Sequence, residues 1–275
     1  MEINTLLNQT SKLPNIPEIV RELIQTLNSE HANHAEIAQK VAKDQTISLK
    51  VLRLVNSAQF GLSRKVSSID EAIVLLGMEK LKTLVIASGF SGSASNVDGL
   101  DTKRFWKDSF QVASLAKWLA LRTPKVDADI AFTAGVIYNI GRLLLHLAEP
   151  NKAKAIETLI SETKVSRTAA ELERLGFTTQ DAGKALLDMW QFPQALSNAV
   201  QQYKKPLAFD PASPLSAVLN LACYLNASIR EDRDPDIVKE FVPKKVLELA
   251  GIDPMIIDEL DEALCLESGL DDLII

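Results

Sequence analysis

The 275-residue chain is predicted to be all-α, with two helical subdomains packed together, and three observations predict it. Apolar residues recur at three- and four-residue steps nearly throughout, the spacing that places them on one face of a helix. No segment shows the strict apolar–polar alternation of a half-buried strand. One aperiodic stretch, SGFSGSASNVDGL at 88–100, is rich in Ser, Gly and Asn and reads as a linker. It divides the chain into an N-terminal bundle, 1–100, and a larger helical part, 101–275.

The elements follow in order. Residues 17–29 carry Ile19, Leu23 and Leu27 on one face, and TISLKVLRLVNSAQF carries Ile47, Val51, Leu54 and Val55. Asn56 and Ser57 close that second helix, and their side chains are expected to bond backbone there and hold the turn into Phe60-Gly61. Ser68 with Glu71 forms a capping box, and Gly77 marks the stop of the helix it opens. Residues 101–120 form a long amphipathic helix, and AGVIYNIGRLLLHL, 134–147, reads as a buried one. Ser213-Pro214 and Asp253-Pro254 each pair an N-cap with proline at the first helical position.

Composition narrows the function classes. With 47% hydrophobic and 24% charged residues and a mean hydropathy near zero, the chain is neither disordered nor membrane-embedded. Its longest apolar run, 134–148, is cut by Arg142 and falls short of the roughly 20 residues of a membrane span. The opening MEINTLLNQTSK lacks the features of a secretory signal, so a cytoplasmic location is expected. Cys223 and Cys265 are too few for a disulfide framework, and neither sits in a CxxC. A net charge of −6 with basic residues scattered singly argues against nucleic acid as a partner. The acidic cluster EDRDPD, 231–236, reads as a solvated loop.

Three helices turn a polar or thiol group toward their apolar side. Asp108 falls between Phe105 and Val112 of the stripe that continues through Leu115 and Leu119. Asn139 lies within the stripe Phe132, Val136, Leu143 and Leu147, and Cys223 stands beside Leu215, Val218, Leu219 and Ala222. A buried Cys commonly acts as a small hydrophobe, and an inward Asn commonly satisfies backbone. An ionised carboxylate among apolar side chains is costly without a donor or a cavity, so Asp108 requires one or the other.

LPNIPEIVRELIQTLNSE, DQTISLKVLRLVNSAQFG, SSIDEAIVLLGMEKLKTLVIA, FWKDSFQVASLAKWLA, FTAGVIYNIGRLLL and GFTTQDAGKALLDMWQFPQAL follow one another in this chain. In that order they resemble the HDOD domain, a relative of the HD superfamily of metal-dependent phosphohydrolases. The resemblance runs from about Leu13 to about Asn226 and leaves the C-terminal residues outside it. It implies an HD-like helical bundle. In the hydrolytic relatives a His precedes the Ser of FWxHS, a His-Asp doublet and further His residues follow, and a last Asp closes the site. Carried over position by position, the first His becomes Asp108 and the doublet becomes Tyr138 and Asn139. The next His becomes Thr179, a His pair becomes Tyr203 and Lys204, and the final Asp becomes Cys223.

A divalent metal needs several imidazoles or carboxylates, at least three protein ligands for a catalytic zinc. Of this set only Asp108 and Cys223 keep strength as ligands, so no metal or other cofactor is expected and HD-type hydrolysis loses its hydroxide source. Elsewhere, His31 and His34 read as a solvated turn, and His146 is accounted for by its place near a helix C-terminus. The serines of SSID and SGFSGSAS lack a His-carboxylate arrangement or a G-x-S-x-G elbow. Trp106 and Trp190 lie in motifs that look like core, and no surface role is assigned to them or to Trp118.

The resemblance therefore implies a non-catalytic regulatory or interaction module of bacterial signal transduction, with protein partners. A metal-dependent phosphohydrolase and a sensor holding a small molecule in the vestigial cavity are the alternatives. Asp108, Asn139, Thr179, Tyr203 and Cys223 are expected to converge. Lys204, Asn139, Tyr138 and Tyr203 are the candidate donors to a buried Asp108.

Overall fold

The computed structural model describes residues 2–8, 34–43, 45–56, 64–77, 80–81, 84–85, 97–189 and 192–268, and among them every regular element is helical. The N-terminal part contains α1 (Ile3–Asn8), α2 (His34–Lys43), α3 (Gln45–Val55) and α4 (Ile69–Leu76). The second part begins with α5 (Thr102–Ala120), α6 (Ala128–Ile137), α7 (Ile140–Ala148), α8 (Pro150–Thr163) and α9 (Arg167–Leu175). It continues with α10 (Thr179–Met189), α11 (Gln194–Gln202), α12 (Pro214–Arg230), α13 (Pro235–Phe241), α14 (Lys244–Ala250) and α15 (Leu260–Leu264). The helix expected over 17–29, with His31, Ser57, Phe60-Gly61 and Trp190, lies outside the described residues.

Local signals in the sequence set several of these boundaries. The Ser68 hydroxyl accepts the Glu71 amide at 3.4 Å and opens α4, while the Glu71 carboxylate pairs with Arg64 instead of returning to the cap. Gly77 ends α4 at φ +76°, where a side chain would be strained. Ser213 caps α12 with Pro214 at its first position, whereas Asp253-Pro254 opens a 3-10 helix, Pro254–Glu259. Asn56 bonds backbone, as its place at a helix end predicts: its amide donates to Leu52 and Val66 oxygens and its oxygen accepts from the Val66 amide at 2.8 Å. The contact ties the end of α3 to the chain ten residues on.

Helices α2, α3 and α4 pack on one another through Ile37, Val41, Val51, Val55 and Ile73, all fully buried, while α1 packs on α10. The centre of the second part is α5 against α6, with α12 across both. An added Cβ on Gly135 would stand 2.3 Å from the Ala113 Cα, so α5 and α6 approach as closely as backbones allow. Val97 and Leu100, at the end of the stretch expected to be a linker, are buried. Beyond Asn226 the chain returns to α5 and α12. Thr123 donates to the Ala250 oxygen, Tyr224 to the Val238 oxygen, and Arg122 covers the Trp118 ring at 3.5 Å while pairing with Glu259 and Glu262.

The run 134–147 is two helices, which corrects the single helix expected there. The chain turns at Tyr138-Asn139, where Asn139 has φ −110° and ψ 17°. Two backbone contacts require different directions on the two sides: Gly135 fits α6 to α5, and Gly141 fits α7 to α10. The stretch Ala128–Ala148 has the length and hydropathy of a membrane span, but its most apolar 18-residue window is 72% buried inside the protein.

Candidate functional site

Asp101, the cap of α5, and Arg104 and Asp108 within it are three and four residues apart and share one face near its start. The turn before α7 brings Asn139 and the first turn of α7 brings Arg142 opposite them, and the end of α12 brings Arg230. Together these six side chains line a pocket of about 290 Å³ whose apolar wall is Leu100 and Phe105. Asp108 is 23% exposed and faces Arg230, 43% exposed, at 3.6 Å. This corrects two expectations. The facing cation is Arg230, carried by the last turn of α12, and the pair is not buried. A pair this open contributes about 0–1 kcal/mol, so Asp108→Leu should cost little through the loss of this partner.

Behind the pocket stand the other expected residues. Tyr138 meets Tyr203 edge to face, with ring centroids 5.4 Å apart. The Gln180 amide donates to the Tyr203 hydroxyl and to Thr179 Oγ1, both at 3.3 Å. The Thr179 amide and hydroxyl each donate to the wholly buried Glu171 carboxylate at 2.9 Å. Burial, with Cys223, Tyr203 and Asp108 as neighbours, pushes the Tyr138 phenol well above its ordinary value. Burial also raises Tyr203, and it pushes the Cys223 thiol up to about 12 against the opposing pull of Lys204. Some of Cys223 remains accessible, yet its surroundings are dense enough to keep the thiol protonated at neutral pH.

Asp108 and Asn139 thus share a pocket, and Tyr138, Tyr203 and Thr179 share a contact chain behind it. Lys204 stands apart: its ammonium lies 5.3 Å from the centre of the Tyr203 ring and lines a separate open pocket with Asn220 and Val246. It is not the partner of Asp108.

Sequence reasoning missed a charged cluster beside the site. Glu157 on α8 accepts from Arg142 Nη2 at 2.9 Å and from Arg167 Nη2 at 2.9 and 2.7 Å. His146 is almost fully buried, with Nε2 3.5 Å from Glu157 and Nδ1 3.2 Å from the Asp98 oxygen. It stands in the last turn of α7, as expected, and these contacts add to that placement. Burial would raise the Glu157 carboxyl, but His146, Arg167 and Arg142 hold it well below the usual carboxylate range. A group depressed in the folded state adds stability that is complete above its unfolded value, about 4.3, and is lost as pH falls below it. The unfolding midpoint should therefore drop as pH is lowered from 5 toward 3, and Glu157→Gln should flatten that slope. Parallel slopes in the variant and the parent would remove Glu157 from the account. Glu171 had a sequence signal that went unread: it stands four residues before the buried Leu175, on the apolar face of α9.

The model of the HDOD domain matches residues 13–206. The chain belongs to the HDOD domain family. The match ends before Cys223, so the correspondence at that residue stands on the resemblance and on its neighbours, Tyr138, Tyr203 and Asp108. A crystal structure from Shewanella amazonensis SB2B, provisionally named a phosphohydrolase, superposes with a TM-score of 0.78 at 29% identity, covering 98% of both chains. An uncharacterised protein of Treponema pallidum is 21% identical over 88% of this chain and 47% of its own length. The cyclic di-GMP phosphodiesterase CdgJ of Vibrio cholerae is 28% identical over 46% of this chain and 28% of its own. The chain thus spans less than half the length of these curated relatives.

The HD relatives imply a metal, and the HDOD side chains here do not fit one. Asp108 is turned to a guanidinium, the Cys223 thiol stays protonated, both phenols are pushed up, and Thr179 is engaged by Glu171. Among the described residues no group of three or more His, Cys, Asp or Glu is placed to hold an ion. Arginine, with no lone pair to give, lines the pocket where ligands would be needed.

Proposed function

We propose that this chain is a non-catalytic regulatory or interaction module of bacterial signal transduction, built on a phosphohydrolase scaffold whose metal site has been lost. The observation that carries the reading is the donor set: neutral phenols, a protonated thiol and an Asp held by arginine stand where hydrolysis would need imidazoles and carboxylates. A cytoplasmic setting, a protein partner, no role for nucleic acid and the division into 1–100 and 101–275 belong to the same proposal. A metal-dependent phosphohydrolase is the second reading, favoured by the names of the Shewanella and Vibrio relatives.

The test is metal analysis of the purified chain by plasma spectrometry, with hydrolysis of bis-p-nitrophenyl phosphate assayed in added Mn²⁺ and Mg²⁺. The expected result is metal well below one ion per chain and no turnover above blank. One or two bound ions, with turnover lost in Asp108→Asn, would establish the enzyme.

A further inference from the structure

We infer that the pocket between α5, α7 and α12 takes a small oxyanion, a phosphate or a carboxylate, gripped by Arg104, Arg142 and Arg230. The inference rests on the reading that the site has lost its metal, and it names what replaced the cation. Three guanidiniums from three helices line one space of about 290 Å³. Each brings a planar fork of donors that fits a carboxylate or a phosphate face.

Their donors are incompletely used. Arg142 gives Nη2 to Glu157, yet its Nε is buried and has no hydrogen-bond partner among the described residues. Of the three such donors among the described residues, the others being Trp106 and Trp118 Nε1, it is the one whose side chain lines the pocket, and a buried donor requires an acceptor. Arg230 touches Asp108 at 3.6 Å and Glu231 at 3.8 Å, both beyond hydrogen-bond length. The Arg104 guanidinium makes no ion pair among the described residues. Two carboxylates also line the pocket. Asp101 is fixed by the Arg104 amide as the cap of α5, and Asp108 is the carboxylate that faces Arg230 and competes with an incoming anion for it. Three cations against two anions leave a net positive charge, which favours an anion, and such a ligand would take Arg230 from Asp108.

That competition fixes a sign that no metal site shares. Removing the Asp108 charge should strengthen binding of an oxyanion, whereas it would weaken binding of a cation. The experiment is calorimetric titration and thermal unfolding of the full chain with inorganic phosphate and with malonate, each against sodium chloride at equal ionic strength. Both should raise the unfolding midpoint saturably beyond chloride, and the tighter of the two distinguishes a phosphoryl from a carboxylate ligand. Arg104→Gln and Arg230→Gln, at positions exposed enough to leave folding intact, should each weaken binding about tenfold, and Asp108→Asn should tighten it several-fold. No shift beyond chloride, undiminished binding in both arginine variants, or weaker binding in Asp108→Asn would overturn the inference. Metal content of the same preparation separates the two failures. A metal-free protein indifferent to oxyanions defeats the anion site alone, and a metal-loaded one defeats the loss of the metal site as well.

Discussion

Gly141→Ala is expected to destabilise the protein by about 3 kcal/mol or more, the upper end for overpacking, and to lower its unfolding midpoint by on the order of 10 °C. An added Cβ would stand 1.9 Å from the Thr179 carbonyl oxygen and 2.6 Å from the Gly183 nitrogen. Both neighbours are backbone, so no rotamer change can relieve the clash. Helix α7 would have to move away from α10, carrying Asn139 and Arg142 out of the pocket. Gly183→Ala is the internal comparison, because its nearest obstacle is a Val200 methyl at 3.0 Å that can turn aside. Thermal unfolding of the two variants side by side checks the account, and equal losses would remove backbone contact at Gly141 as the cause.

The second large effect is expected at Glu171. Its carboxylate is wholly buried, accepts both the amide and the hydroxyl of Thr179, and has Arg167 Nη1 at 3.9 Å. Glu171→Ala leaves a void, two donors without an acceptor, and a guanidinium that has lost one of its two carboxylate neighbours. Deleting one member of such a buried polar group typically costs about 3–5 kcal/mol. Glu171→Gln keeps the shape and one acceptor oxygen and should recover part of the loss. Denaturant unfolding measures both. A Glu171→Ala midpoint equal to that of the parent would show that water fills the space and serves the donors as well as the carboxylate does.

Much of this protein was legible in its residues. The step of three and four residues decided an all-helical fold, and Ser68, Gly77 and Ser213 marked helix ends because caps act within one turn of the chain. Asn56 was read correctly for the same reason, since its partners include Leu52, four residues away. The odd pair Tyr138-Asn139 in an apolar run pointed to the site, and the structure places Asn139 in the pocket and Tyr138 against Tyr203.

What the sequence could not supply was the identity of partners brought by crossing helices. Periodicity tells which face of a helix is inward, and it carries no information about what the opposing helix presents. Asp108 was read as facing inward and in need of a donor, yet its partner is 122 residues on, at the far end of α12. The break at Tyr138-Asn139 follows from two backbone approaches, Gly135 on Ala113 and Gly141 on Thr179, that no window along the chain contains. The sequence by itself determined the helical class, several helix caps and the family of the chain. Only the tertiary structure decided that the inward faces meet as a pocket of arginines, because a charge chooses its neighbour by distance in space.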